Sequence, residues 1–351
     1  MNPHTNWSRR AGLAGASAAL LAFTLSGCGG DSEQPQPPSQ PGGPPQAAPA
    51  APTVPPLGPG CPKPGTVTVH NAQELKSALT GAKPGAVIEL AAGTYTGGFA
   101  AEASGSKAQP IVLCGKRDAV LDGSGANYTL HLENASYWEV VGFTIRGGQK
   151  GLMVDQGQHN LIDSLEIEQV EQEALHLRKN SSNNVVRGNV IHNTGLKDSQ
   201  FGEGVYIGTA EKNWPRYTGG QPDRSDRNLI EANTISDTTS EAVDIKEGTT
   251  GGIVRGNTFT GPSSDAESWV NVKGNGWQIL GNTGRGSSQD GFSVHQILDG
   301  WGVDNVFDGN TAVVDGPGYG INVTKNKDRN RVTCSNKAES AGKGLTNIDC
   351  S

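Results

Sequence analysis

Glu241-Ala242-Val243-Asp244-Ile245-Lys246 alternates apolar and polar side chains, and Arg255-Gly256-Asn257-Thr258-Phe259 follows as a turn and a second short strand. The pair recurs along the chain. Glu173-Ala174-Leu175-His176-Leu177-Arg178 precedes Arg187-Gly188-Asn189, and Glu203-Gly204-Val205-Tyr206-Ile207-Gly208 precedes Glu231-Ala232-Asn233. Ser268 to Lys273 precedes Asn282, and Asp290 to His295 precedes Asn310. From Asn233 to Asn257, Asn282 and Asn310 the steps are roughly 24 to 28 residues, the length of one solenoid repeat. The longer step from Asn189 to Asn233 marks one turn with a large insertion. No unit holds a helix-length apolar period; each is two or three short strands separated by Gly and Asn. Stacked units of this kind bury together a core that no single unit could bury, which is the logic of a parallel β-helix.

Within the six-residue frame the third and fifth positions are almost all Val, Ile, Leu or Phe, so they face inward. The fourth and sixth positions then form two outward columns. The first reads His131, Met153, His176, Tyr206, Asp244, Asn271, Ser293, Asn322; the second reads Glu133, Asp155, Arg178, Gly208, Lys246, Lys273, His295, Thr324. Column neighbours are about 5 Å apart and can act on one ligand. The repeated Asn residues stack at one corner, where their amides satisfy one another and the backbone; they are structural.

Composition agrees. Aromatic residues are 5% and Gly numbers 50, which fits tight turns around Val, Ile and Leu better than a helical bundle. A net charge of −7 argues against nucleic acid as a partner. An acidic polymer could bind only through a local basic site or a bound cation.

Residues 1–27 read as an export signal: Arg9 and Arg10, then an apolar run too short for a membrane span, then Leu25-Ser26-Gly27-Cys28. The last four match a bacterial lipobox, with Cys28 the lipidated N-terminus that would tether the protein to the outer face of the cell membrane. Residues 28–60, rich in Pro and Gly, form a linker that cannot bury a core, and 61–351 form the folded domain. Four further cysteines allow three pairings. Cys61 with Cys114 and Cys334 with Cys350 would each staple one end of the solenoid in an oxidising compartment. Asn71, with Glu74 three residues on, opens a short helix that would plug the first turn.

The insertion at 209–227 carries Trp214, Arg216 and Tyr217, placed to stack on sugar rings and reach an acidic group, or else to pack on themselves.

The domain resembles the right-handed parallel β-helix, or pectin-lyase-like, superfamily. Its opening, Leu79-Thr80-Gly81-Ala82-Lys83-Pro84-Gly85-Ala86-Val87-Ile88-Glu89-Leu90 and then Gly93-Thr94-Tyr95, looks like the first turns of alginate lyase/chondroitinase B-type and pectate lyase L-type enzymes. Those lyases carry a calcium-binding Glu five residues before a catalytic Lys, followed by an Arg-x-Asn-Thr-Phe segment. Glu241, Lys246 and Arg255 to Phe259 match. The resemblance implies Glu241 as a Ca²⁺ ligand and Lys246 as a base. The companion acid is Thr239 here, and Lys273 is the nearest counterpart of the family's substrate Arg.

Cleaving a uronate polymer by β-elimination needs the sugar carboxylate neutralised, by Ca²⁺ or by clustered Lys and Arg, and a base beside it. Lys246 would be the base, with Lys273 lowering its pKa by like-charge pressure and Arg178 nearby. Glu203, Glu241 and Asp244 offer hard oxygens for a cation. His176, Tyr206 and His295 would serve as acids or as substrate contacts, and Asn271 would contact substrate. The expectation is a single right-handed parallel β-helix of eight to ten coils, lipid-anchored, monomeric and lyase-like on an acidic polysaccharide. The rival is a non-catalytic glycan-binding or scaffold protein; an epimerase would share the proton-abstraction step.

Overall fold

The structure is a computed structural model that describes residues 55–261 and 266–351. The expected export signal, the lipidated Cys28 and the linker as far as residue 54 lie outside the described residues. Short strands, mostly of three to six residues, stack into three parallel sheets of eleven, ten and nine strands, called sheets 1, 2 and 3. Each complete coil contributes one strand to each in turn, and the terminal coils are incomplete. Coiling begins at Val67–Val69 and continues to Lys337–Ala341, about eleven turns rather than eight to ten. The difference arises at the ends, where the coils lack the repeating frame yet pair in parallel register, Val67 with Ile88 and Ala312 with Ala338.

The frame positions predicted to face inward do so. Val243, Ile245, Val270, Val272, Leu175, Leu177, Val205 and Ile207 are all fully buried. Each such side chain contributes about 1.5–3 kcal/mol when removed from water. The helix α1 (Ala72–Thr80) closes the first turn with Leu75 and Leu79. It is capped as the sequence indicates: Asn71 Oδ1 accepts from Glu74 N–H (3.0 Å) and Glu74 Oε2 accepts from His70 N–H (2.8 Å).

The corner between sheets 1 and 2 holds the Asn ladder. The Asn189 N–H donates to Asn233 Oδ1 (3.0 Å), Asn233 N–H to Asn257 Oδ1 (2.9 Å), and the chain continues through Asn282 and Asn310 to Asn336. A second ladder, through Asn160, Asn184 and Asn228 at the corner between sheets 3 and 1, is less regular in sequence and was not anticipated. Both serve the same need: a buried turn must pair its backbone N–H groups.

Cys61–Cys114 and Cys334–Cys350 are the two disulfides, one at each end. The domain starts earlier than residue 61. The Leu57 N–H donates to Asp163 (3.1 Å), Gly58 N–H to Ser164 Oγ (2.9 Å) and Gly60 N–H to the Gly115 carbonyl (2.8 Å), so residues 57–60 strap the flank of the first coils.

Candidate active site

Both outward columns lie on sheet 3. Parallel register aligns His131, Met153, His176, Tyr206, Asp244, Asn271, Ser293 and Asn322 in consecutive coils. The second column continues past the strand ends. Lys246 N–H donates to the Ile207 carbonyl, Lys273 N–H to Ile245 and His295 N–H to Val272.

These columns point away from the core, yet several members are buried. Asp244 is 1% exposed, His176 4%, Arg178 5% and Lys273 8%. Loops wall the sheet into a groove. The 209–227 insertion is pinned there by Asp223, whose carboxylate accepts from the Lys179 and Asn180 N–H groups (2.9 and 2.8 Å), and by Glu247, which accepts from Glu211 N–H (2.7 Å). Trp214, weighed as a sugar platform, is instead buried, and its indole N–H donates to the Thr209 carbonyl (2.9 Å). It anchors the insertion, because a long loop needs a core of its own. Arg216 is exposed at the rim, its guanidinium 5.1 Å from the Tyr217 ring.

At the centre Asp244 holds two lysines, Lys246 Nζ at 2.5 Å and Lys273 Nζ at 2.7 Å, and Glu241 Oε1 lies 4.0 Å from Lys273 Nζ. The structure therefore brings Glu241, Asp244, Lys246 and Lys273 together. It corrects the electrostatics expected for the base. Burial works against the Lys246 ammonium, but the Asp244 carboxylate outweighs it and holds the lysine pKa above its ordinary value. Burial likewise opposes the Asp244 charge, and Lys246 and Lys273 overcome it, keeping the acid below the usual carboxylate range. A carboxylate between the two lysines replaces the like-charge pressure that the column alone implied. Lys246 is an ammonium here, suited to neutralising charge.

Tyr206 sits one coil before Asp244. The Lys246 Nζ lies 4.8 Å from its ring centroid, and the His176 ring meets it edge-on at 4.2 Å. The hydroxyl makes no hydrogen bond among the described residues. Burial raises the phenol well above its ordinary pKa, and Lys246 is the group that counteracts this.

Glu203, Glu241 and Asp244 offer oxygens within 4.8 Å of one another. Glu203 is buried and its Oε2 has no hydrogen-bond partner. Burial, then the Glu173 and Asp244 charges, push its pKa well up. Glu241 accepts from Asn271 Nδ2 (3.0 Å) and Ser240 Oγ (2.6 Å). With that amide orientation Asn271 Oδ1 accepts from His295 Nδ1 (2.9 Å), and burial lowers the His295 pKa.

Arg178 is held apart from this cluster. Its guanidinium forms two hydrogen bonds to Asp155 (2.6 and 3.1 Å), one to the Tyr128 hydroxyl (3.0 Å), and stacks 4.2 Å from the Tyr217 ring. A guanidinium so occupied secures the wall and does not act as a free catalytic cation.

Glu173 and Lys150 were overlooked. Lys150 Nζ pairs with Glu173, whose other oxygen lies 3.5 Å from His176 Nδ1, while His176 Nε2 donates to the Gly208 carbonyl (2.8 Å). The signal was present: the frame opens on an acid at Glu173, Glu203, Glu241 and Asp290.

Residues 61–206 match the family described as Pel9A-like, right-handed β-helix region. The crystal structure of alginate lyase from Paenibacillus sp. strain FPU-7 superposes with a TM-score of 0.75 at 35% identity, covering 81% of this chain and 98% of that one. This chain belongs to the same right-handed β-helix family. Pectate lyase Pel9A (TM-score 0.43, 16% identity, 74% of this chain and 73% of that one) and a PL6-family polysaccharide lyase from Pseudopedobacter saltans (0.43, 16%, 80% and 92%) are fainter likenesses and carry no argument. No curated protein matches the sequence. The structural neighbours of this β-helix thus include an alginate lyase. A cavity of about 580 Å³ between α1 and the first strands lies at the capped end of the solenoid, remote from the charged columns.

Proposed function

We propose that this protein is a polysaccharide lyase that cleaves a uronate-containing polymer by β-elimination in the groove on sheet 3. The observation that carries this is the packing of Lys246 against Tyr206 beside the Lys246–Asp244–Lys273 cluster. The likeness to the Paenibacillus alginate lyase supports it. In this reading the two ammonium groups neutralise the sugar carboxylate and make its neighbouring C5 proton removable. Lys246 also offsets the charge of a Tyr206 phenolate. The phenolate oxygen takes the C5 proton, and the phenol so formed returns it to the departing C4 oxygen on the same face of the ring. The C5 electron pair becomes the C4–C5 double bond as the C4–O bond breaks.

The test is the ultraviolet absorbance of the unsaturated uronate formed from alginate, pectate or glycosaminoglycans. A rise with wild type that disappears with Lys246→Ala is expected. Binding to these polymers with no rise on any of them would favour the glycan-binding scaffold.

A calcium-assisted version rests on a separate observation, the orphaned Oε2 of buried Glu203 beside Glu241 and Asp244. Three carboxylates suit a hard cation. They would hold Ca²⁺, which when bound would supply part of the neutralisation of the substrate carboxylate. The raised Glu203 pKa gives a readout independent of turnover. A carboxyl that stays protonated in the folded chain lowers stability as pH rises above the ordinary carboxylate range. Glu203→Gln removes that loss, so in chelator at neutral pH the variant should melt above wild type. Added Ca²⁺ should raise the wild-type melting temperature and leave the variant unmoved. No shift in wild type would eliminate the calcium reading.

Export and lipid anchoring at Cys28 complete the proposal: two disulfides fit an oxidising compartment, and the lipobox supplies the tether. We read the protein as a monomer, which light scattering would check.

A further inference from the structure

Where sheet 3 turns into sheet 1, one backbone position recurs in the left-handed region. Backbone hydrogen bonds stack it coil on coil: Tyr137 N–H to the Gln158 carbonyl, His159 to Ser182, Asn183 to Asp226, Arg227 to Thr250, Gly251 to Asn275, Gly276 to Val303. Asn183, Gly251 and Gly276 are residue types that adopt positive φ readily, as is Asp304 further along. Arg227 is tied to Asn183 through its Nε (3.0 Å). The first two members of this stack are instead Tyr137 (φ 58°) and His159 (φ 57°).

The Tyr137 ring works against its own backbone preference in this region, which His enters more readily, and such strain persists where something else is gained. These two rings stack, with centroids 4.9 Å apart and planes 18° from parallel. They border a cavity of about 310 Å³ with Lys107, Glu139 and Ser106. His159 and Lys107 are exposed and Tyr137 is half-buried. Neither Lys107 nor Glu139 is ion-paired among the described residues. The cavity borders sheet 1, on Trp138–Val141 and Leu161–Asp163, and shares no residue with the charged columns of sheet 3.

We propose that Tyr137, His159 and Lys107 form a secondary carbohydrate site that holds one uronate residue of the polymer outside the reaction groove. The inference rests on the lyase reading for the identity of the polymer. Aromatic faces pack the C–H face of a pyranose, with a polar tip left for hydroxyls. The Lys107 ammonium pairs with the sugar carboxylate, and Glu139 accepts from hydroxyl groups. The volume stands at the small end of ligand sites, roughly 300 Å³ and upward, enough for a sugar unit and too small for a long segment. A second grip of this kind raises the effective concentration of a long chain at the groove.

The test compares the full chain with Tyr137→Asn/His159→Asn and with Lys107→Gln. Asn is the choice because Asn183 fills the same position in the next coil, so the melting temperature should hold or rise. Affinity electrophoresis through alginate and pectate gels should show binding weakened by about tenfold in the double variant. KM on the polymer should rise with it, while turnover of short oligosaccharides stays unchanged. Lys107→Gln should lose the preference for uronan over neutral glucan gels. Equal retention of folded double variant and wild type would overturn the proposal, as would a Lys107→Gln variant that keeps the preference. Retention of wild type without cleavage would sink the lyase reading and leave this site standing; cleavage with no retention would do the reverse.

Discussion

Tyr206→Phe is expected to lower the proposed uronan cleavage by about 10²- to 10⁴-fold, the range of a removed acid–base group. Its melting temperature should scarcely move, because the hydroxyl has no hydrogen-bond partner among the described residues to leave behind. Lys246→Ala should lower it by about 10²- to 10³-fold, as does removal of a single charge stabiliser from a reaction centre. The two losses separate by pH. In wild type the Tyr206 phenol is raised by burial and lowered by Lys246, so removing the lysine moves the phenol further up. The residual activity of Lys246→Ala should therefore begin to rise at a higher pH than that of wild type, whereas that of Tyr206→Phe should show no such rise. A Phe variant that turns over like wild type would remove Tyr206 from the chemistry.

Asp244→Ala should destabilise the fold by about 3–5 kcal/mol, the cost of taking one partner from a buried ionic cluster. The acid is 1% exposed, and without it Lys246 and Lys273 face each other behind the 209–227 wall with Glu241, 4.0 Å from Lys273 Nζ, left to offset them in part. The pH dependence follows from the two shifts. The Asp244 pKa is depressed in the folded state, so its contribution is present above the ordinary carboxylate range and is lost as pH falls through the folded value. The Lys246 pKa is raised, so its contribution is present below the ordinary lysine range and is lost as pH rises through the folded value. Denaturant melts across pH should show wild type losing this stabilisation at both extremes and Asp244→Ala flat by comparison. A loss within the range of an exposed pair, under about 1 kcal/mol, would mean that the cluster is solvated.

Much of this molecule is legible from one strand. A period of two assigns every side chain of Glu241–Lys246 to the core or the outside, and the Asn step of 24 or 25 residues sets which residues meet in neighbouring coils. Both columns follow from that register, as do the capped end at Asn71 and the two disulfides at the ends of the solenoid. These are local or repeating relations, and a sequence states such relations directly.

The state of the charged groups is different in kind. Lys246 was expected to be a lysine pressed toward neutrality; it is an ammonium, because Asp244 turns to both lysines at once. Sequence leaves Trp214 either stacking on sugar or anchoring its own loop; it is buried, because the insertion folds back on the coils and packs on itself. Arg178 belongs to Asp155 and Tyr217. The solenoid, its register and the residues that line the groove follow from alternation and spacing along the chain. Which carboxylate pairs with which cation follows from the packed fold, since that depends on how deeply a loop distant in sequence buries them and on the few ångströms over which charges interact.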